Sequence, residues 1–197
     1  MGILAFLGVV MASSQLEIVN YALGELGADL ITSMTDPVKS ATLATAMWPI
    51  VFESVARAYP WNCLINRQAL SPDASAPAGD DWTTSFTLPP TCLRVLSADL
   101  PRTEYDIEGR KLMANTNVVT IRFIERVEDV TLWDSMFSHA VASRLAQALA
   151  YPLTQSQSLK DSMGEAYRSR VREARSIDAQ EGRYLQTETE EWLEARV

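Results

Sequence analysis

The sequence predicts an α+β fold, in which a bundle of about four helices carries an inserted antiparallel β domain. Two observations indicate this fold: apolar residues recur with helical spacing towards both ends of the chain, and short alternating stretches with turn residues fill the middle. Helical pairs that flank a β region most simply pack together as one bundle. The predicted units are an N-terminal extension (1–12), a helical bundle (13–60 and 130–180), a β domain (61–129) and an extended C-terminal arm (181–197).

The composition is that of a folded acidic protein. The chain has 197 residues, of which 17 are Lys or Arg and 25 are Asp or Glu, so its formal net charge is −8. A chain of this length buries a core without metal or disulfide support. The acidic balance argues against broad affinity for nucleic acid and against binding to an anionic membrane surface.

The first ten residues are almost wholly apolar, and two interpretations of them stay open. A membrane-spanning helix needs about 20 apolar residues, whereas this run stops at Ser13-Ser14. A secretory signal begins with positive charge, but Lys39 is the first basic residue. The segment is therefore either upstream read-through, with Met11 as the usual start, or a stretch that packs against a neighbouring subunit.

The first helix should run from Ser14 to about Leu26. Ser14 and Glu17 have the spacing of a capping box, and Gly27 suits the left-handed residue that ends a helix. Its apolar face is formed by Leu16, Val19, Leu23 and Leu26.

The second helix should begin with Asp36 as N-cap and Pro37 as first helical residue, and it should kink at Pro49. It should end at Tyr59-Pro60-Trp61. Its predicted buried stripe is Leu43, Met47, Ile50 or Val51, and Val55.

Six strands are predicted in the middle of the chain, with a tight hairpin at Glu108-Gly109-Arg110. Residues 71–81 are rich in Pro, Ala and Asp and should form a loop. Val119, Ile121 and Phe123 should share the apolar face of the last strand. The predicted strands are 62–69, 82–88, 93–98, 104–108, 110–114 and 118–124.

Two further helices should follow the strands. The third should run from about Leu132 to Ala150 and be broken by Pro152. The fourth should be long, with charged outer faces. Their apolar positions are Phe137, Val141, Leu145 and Ala148 in the third helix, and Leu159, Met163, Ala166, Ala174 and Ile177 in the fourth.

The search for enzyme chemistry favours a protein that is not an enzyme and binds no cofactor or metal. His139 is the only histidine, and it lies in an apolar-periodic helix, where a packed or surface role is the common one. Cys63 and Cys92 are better read as small core residues than as nucleophiles or ligands. The carboxylate groups do not repeat the spacing of a helical metal site. A hydrolase that uses His139 with a nearby acid remains a minor alternative.

A basic cluster and the C-terminal arm are the candidate contact regions. Arg168, Arg170, Arg172 and Arg175 form either a salt-bridged exposed helix or a functional patch, and in the latter case a DNA-binding accessory protein is the alternative function. In the arm, Trp192 is the best candidate for a contact anchor. The arm either folds back on its own domain or docks on a partner. Its other candidate contact residues are Tyr184, Leu185 and Leu193.

Trp61 and Trp133 flank the predicted β domain, one at each junction with the helices. Their large side chains should lock the two parts together through buried area.

Several short strings, taken in order, carry a family resemblance. They are Tyr59-Pro60-Trp61-Asn62, Phe86-Thr87-Leu88-Pro89-Pro90, Cys92-Leu93-Arg94-Val95-Leu96, Tyr105-x-Ile107-Glu108-Gly109-Arg110, Ile121-Arg122-Phe123-Ile124, Phe137 with Arg144-Leu145-Ala146, and Ala150-Tyr151-Pro152-Leu153-Thr154. Over roughly residues 13–180 this set resembles the tail tubular protein A family of short-tailed bacteriophages, the head-to-tail adaptor or gatekeeper proteins. The chain departs from the family at residues 1–10 and at Pro90-Thr91.

The resemblance implies a structural protein of the virion, located in the neck between capsid and tail. Members of the family form a ring, typically of about twelve copies, between the portal protein and the tail nozzle protein (tail tubular protein B type). Double-stranded DNA passes through the ring without specific binding. The resemblance also implies that the helical part and the C-terminal segment contact the portal and that the β domain faces the nozzle. An acidic channel lining would repel DNA and let it slide.

Overall fold

A computed structural model of the chain describes residues 14–75, 77 and 81–181. Within these residues it contains four α-helices and six β-strands. They are α1 (Gln15–Glu25), α2 (Lys39–Ala58), β1 (Ile65–Leu70), β2 (Thr84–Thr87), β3 (Cys92–Ala98), β4 (Tyr105–Glu108), β5 (Lys111–Ala114), β6 (Val119–Glu125), α3 (Ser135–Thr154) and α4 (Gln157–Glu181). The predicted α+β class, with about four helices around an inserted antiparallel β region, is confirmed.

Helix α1 forms as its local sequence predicts. The Ser14 hydroxyl accepts a hydrogen bond from the backbone N–H of Glu17 at 3.1 Å, and the Glu17 carboxylate accepts one from the backbone N–H of Ser14 at 2.7 Å. This reciprocal capping box satisfies two N–H groups that the helix itself leaves free. Gly27 has φ +64° and ends the helix in the left-handed conformation, which costs glycine little.

Helix α2 corrects the predicted start at Asp36. The helix begins at Lys39 after Val38, and no side chain caps it. The Asp36 carboxylate instead accepts from the backbone N–H groups of Ser33 at 3.0 Å and Thr32 at 2.7 Å, and these bonds lower its pKa. The carboxylate thus closes the turn before α2, a role that aspartate side chains often take in competition with helix capping.

The buried stripe of α2 takes Val51 rather than Ile50. Val51 is buried, whereas the Ile50 side chain is 75% exposed. Pro49 lies inside a helix that is continuous from Lys39 to Ala58.

Helix α3 corrects a second prediction, because it passes through Pro152 and ends at Thr154. A proline inside a helix costs one backbone hydrogen bond and crowds the carbonyl four residues before it, but only two residues of α3 follow Pro152. The chain then turns at Gln155, which has φ 56°. The sequence predicted Ala148 on the buried face of α3, but Ala148 is only partly buried, whereas the neighbouring Leu149 is fully buried. Helix α3 is the centre of the bundle and packs against α1, α2 and α4.

The strands form two three-stranded antiparallel sheets, with the orders β1-β6-β3 and β2-β5-β4. All six lie close to their predicted positions, although residues 62–64 form a 3₁₀ turn before β1 begins at Ile65. The predicted hairpin is confirmed: Glu108 pairs with Lys111, and Gly109 has φ +57°.

Strand β6 joins two hydrophobic cores. Its Val119, Ile121 and Phe123 face a core between the two sheets, whereas Ile124 packs into the helical core. Successive side chains of a strand point to opposite faces, so one strand contributes to both cores. Trp61 and Trp133 belong to the helical core at the two junctions with the sheets, as the sequence predicts.

Candidate partner-binding site

The four arginines of α4 point in different directions and do not form one patch. Arg168 and Arg172 are exposed, and their spacing of one helical turn places them on one face. Arg170 turns inward, where it forms a salt bridge with Glu25 and donates to the Ser143 hydroxyl at 2.7 Å. The exposed arginines of α4 are therefore the pair Arg168 and Arg172.

Arg175 also packs inward. Its guanidinium lies 5.3 Å from the centre of the Tyr59 ring, and the Tyr59 hydroxyl donates to the Arg175 carbonyl at 3.4 Å. This cation–π contact uses Arg175 to hold α4 on the end of α2. Its position suits a structural role better than the partner contact that the sequence suggested.

A polar groove lies between α2, α3 and α4, and we call it the arginine groove. Its volume is about 350 Å³. Helix α3 contributes Arg144, and α4 contributes Arg168, so two guanidinium groups border one hollow. The complete lining is Ser54, Arg144, Gln147, Gly164, Tyr167 and Arg168.

The contacts inside the arginine groove hold its donors in place. The Arg144 guanidinium donates to the Gln147 side-chain carbonyl and lies 5.6 Å from the centre of the Tyr167 ring. Burial raises the pKa of the Tyr167 hydroxyl, so this group stays a neutral O–H donor. At Gly164, a Cβ atom would come within 2.7 Å of Gln147 Nε2, so glycine leaves space for the Gln147 amide.

The arginine groove is suited to binding carboxylate or phosphate groups. Among the residues that the structure describes, neither Arg144 nor Arg168 forms a salt bridge. Planar guanidinium groups recognise such anions with paired hydrogen bonds. The groove offers binding groups but no pair of residues that resembles a nucleophile and its base.

The C-terminal end of α4 is tied to the junction of helices and sheets by Asp178. The backbone N–H of Asn62 donates to the Asp178 carboxylate at 2.9 Å, and the Asn62 side-chain amide donates to the Asp178 carbonyl at 2.7 Å. Burial raises the pKa of this carboxyl group. Helix α4 therefore ends at the junction.

His139 lies in a shallow hollow beside α1. Its ring stacks on Tyr21 with centroids 5.2 Å apart, and Glu17 and Ser138 line the same hollow. The Glu17 carboxylate is engaged by the capping box, so it is not aimed at the imidazole. His139 is therefore best described as an exposed residue whose ring packs on Tyr21.

The two cysteines are buried to different degrees. Burial raises the pKa of Cys63 to about 11 and also raises that of Cys92. Both are therefore thiols at neutral pH, and a thiol is a much weaker nucleophile than a thiolate.

Residues 14–75, 77 and 81–181 contain no group of three or more His, Cys, Asp or Glu residues placed to hold a metal ion. None of their helices combines the length and apolar character needed to cross a membrane.

Sequence reasoning identified Arg168 and Arg172, whose exposure the structure shows, but it missed Arg144, Gln147 and Tyr167 of the arginine groove. Arg144 and Gln147 are remote in sequence from Arg168, and the order of helices alone does not bring them together; Tyr167 is adjacent to Arg168, but the sequence does not show that it faces the same groove. The remaining contact candidates lie outside the described residues; they are Tyr184, Leu185, Trp192 and Leu193.

Two comparisons with known proteins give no match. No protein-family model matches the chain, and no curated protein matches it.

Proposed function

We propose that this chain is the repeating subunit of a head-to-tail connector ring in a short-tailed bacteriophage, between the portal protein and the tail nozzle protein. The observation that carries the proposal is the ordered set of strings that resemble the family, in a chain whose fold combines four helices with an inserted β region. A subunit between two different neighbours needs contact surfaces at both ends, and the large apolar side chains exposed there are candidates for those contacts.

The end of the bundle remote from the sheets presents Val38 and Tyr151, each 45% exposed. Helices α2 and α3 meet there, because the Lys39 ammonium donates to the Pro152 carbonyl at 2.6 Å. The β domain presents Val118, which is 66% exposed and precedes β6 at the end remote from the helices. In the proposed ring, the first end contacts the portal and the second faces the nozzle.

The sides of the bundle supply candidates for contact between copies. A closed ring needs a head-to-tail interface that joins two different patches. Tyr21 on α1 is 42% exposed and Ile50 on α2 is 75% exposed. With a net charge of −8, a ring of such subunits would repel DNA in its lumen and allow it to slide.

The strings that carry the family resemblance occupy positions that build the fold. Trp61 is buried at the junction, and Gly109 forms the hairpin turn. Arg110 donates to the carbonyls of Cys92, at 3.0 Å, and Pro89, and so connects the hairpin to the start of β3. These structural roles are consistent with the proposal that the strings mark an architecture shared with the family.

Electron microscopy of the full chain mixed with the portal and nozzle proteins of the same phage tests the proposal. We expect a ring bound to the portal. Val118→Asp should weaken nozzle binding and leave portal binding intact. Asn117→Asp is the matched control, because it adds the same charge at an exposed polar neighbour.

A chain that stays monomeric and binds neither partner would contradict the proposal. Salt-sensitive retention on double-stranded DNA that Arg168→Glu with Arg172→Glu abolishes would instead favour the DNA-binding accessory protein.

A further inference from the structure

The arginine groove concentrates positive charge on an acidic chain. Arg144 and Arg168 border the groove, and no salt bridge among the described residues engages either guanidinium group. Because these two arginines are positive, the net charge of the rest of the chain is more negative than the −8 of the whole chain. An acidic segment is therefore the occupant that the electrostatics favour.

The chain contains such a segment within reach. Residues 188–191 read Glu-Thr-Glu-Glu. Helix α4 ends at Glu181, and about 20 Å of helix separates that residue from Arg168. In an extended conformation, residues 182–188 span at most about 23 Å, so Glu188 is the first of these carboxylates that reaches the groove.

The path back to the groove also favours an acidic segment. Arg172 is exposed one turn from Arg168 on the side towards Glu181, so a chain that returns along this face passes a second cation.

We infer that the arginine groove binds the acidic segment 188–191 of the same chain, with Arg144 and Arg168 holding its carboxylates. This inference does not depend on the proposed ring, because it concerns a contact within one copy. The groove is then an interaction surface that selects closely spaced carboxylates on a peptide.

Amide hydrogen exchange of the full chain, followed by mass spectrometry of the fragments that cover residues 184–194, tests the inference. At low ionic strength these amides should exchange slowly, and Arg168→Glu should speed their exchange about fivefold or more. Arg168 is exposed, so its replacement should leave the fold intact, which circular dichroism checks. Arg67→Glu on β1 is the control, since Arg67 is an exposed arginine that does not line the groove.

A charge exchange makes the test specific. Arg168→Glu combined with Glu190→Arg and Glu191→Arg should restore at least half of the lost protection. Equal exchange in the native chain and in Arg168→Glu would overturn the inference, and so would a failure of the charge exchange to restore protection. Protection that rises with protein concentration would also overturn it, because a second copy would then supply the segment.

Discussion

The helical core and the core between the sheets differ in how their aromatic rings are arranged. The helical core holds a chain of rings in contact: Trp133 lies 5.0 Å from Phe52 and 4.9 Å from Phe137, and Trp61 lies 5.3 Å from Phe137. The core between the sheets also contains aromatic residues, but none of the ring–ring contacts among the described residues joins Phe86, Tyr105 and Phe123. The ring contacts are therefore concentrated near the junction, where the large buried area of the cluster helps to hold the β domain on the bundle.

The largest effect should come from the aromatic junction. Trp61→Ala should lower the free energy of unfolding by about 4 kcal/mol, because it opens a cavity and removes the hydrogen bond from the indole N–H to the Val55 carbonyl at 3.0 Å. Urea denaturation followed by circular dichroism measures the loss. Ile50→Ala is the control and should change stability by less than about 0.5 kcal/mol, because Ile50 is exposed.

The core between the sheets should respond nearly as strongly. Phe86→Ala should cost about 3 kcal/mol, since this side chain is fully buried. Because β6 contributes to both cores, tryptophan fluorescence and far-ultraviolet circular dichroism should report one shared transition in this variant. Two separate transitions would show that the sheets unfold independently of the bundle.

Replacing the inward Arg170 should lower the stability of the protein more than replacing the outward Arg168. Arg170→Met should cost about 2 kcal/mol, because it leaves the largely buried Glu25 carboxylate without its cation. Arg168→Met should cost less than about 0.5 kcal/mol, as is usual for an exposed residue. Chemical denaturation of both variants measures the difference, and equal losses would contradict the inward role of Arg170.

The smallest effect concerns Asp178, and it should depend on pH. Asp178→Ala should cost about 1 kcal/mol through the lost hydrogen bond from Asn62, whereas Asp178→Asn keeps an acceptor and should cost less.

Burial raises the pKa of Asp178 above its ordinary value of 3.8, so the folded state holds the proton more tightly than the unfolded state. The contribution of Asp178 to stability is therefore fully present below pH 3.8 and declines as the pH rises through the folded-state pKa. Over that pH range, the free energy of unfolding of Asp178→Asn should therefore rise relative to that of the native protein. Denaturation at a series of pH values checks this, and a constant difference would refute it.

Local signals account for the parts of the fold that were predicted correctly. The capping box at Ser14 and the left-handed turn at Gly109 depend on neighbours within a few residues, and the alternation in β6 depends on one strand. The predictions at Asp36 and Pro152 were wrong because each residue had more than one allowed local role. The Asp36 carboxylate accepts hydrogen bonds from the N–H groups of the turn before it and does not cap α2.

The candidate site was predicted only in part. The sequence showed that Arg168, Arg170 and Arg172 scatter around a helix, because each residue turns a helix by about 100°. It could not show which of them face inward, since that depends on where α1 and α3 lie against α4.

The sequence by itself therefore determined the class, the order of elements and local features such as the capping box and the hairpin turn, because these follow from interactions between residues close in the chain. Only the tertiary structure decided that Arg144 and Arg168 share a groove, that Arg170 pairs with Glu25 and that Asp178 ties α4 to Asn62. Those contacts join residues far apart in sequence, and packing of whole helices selects them.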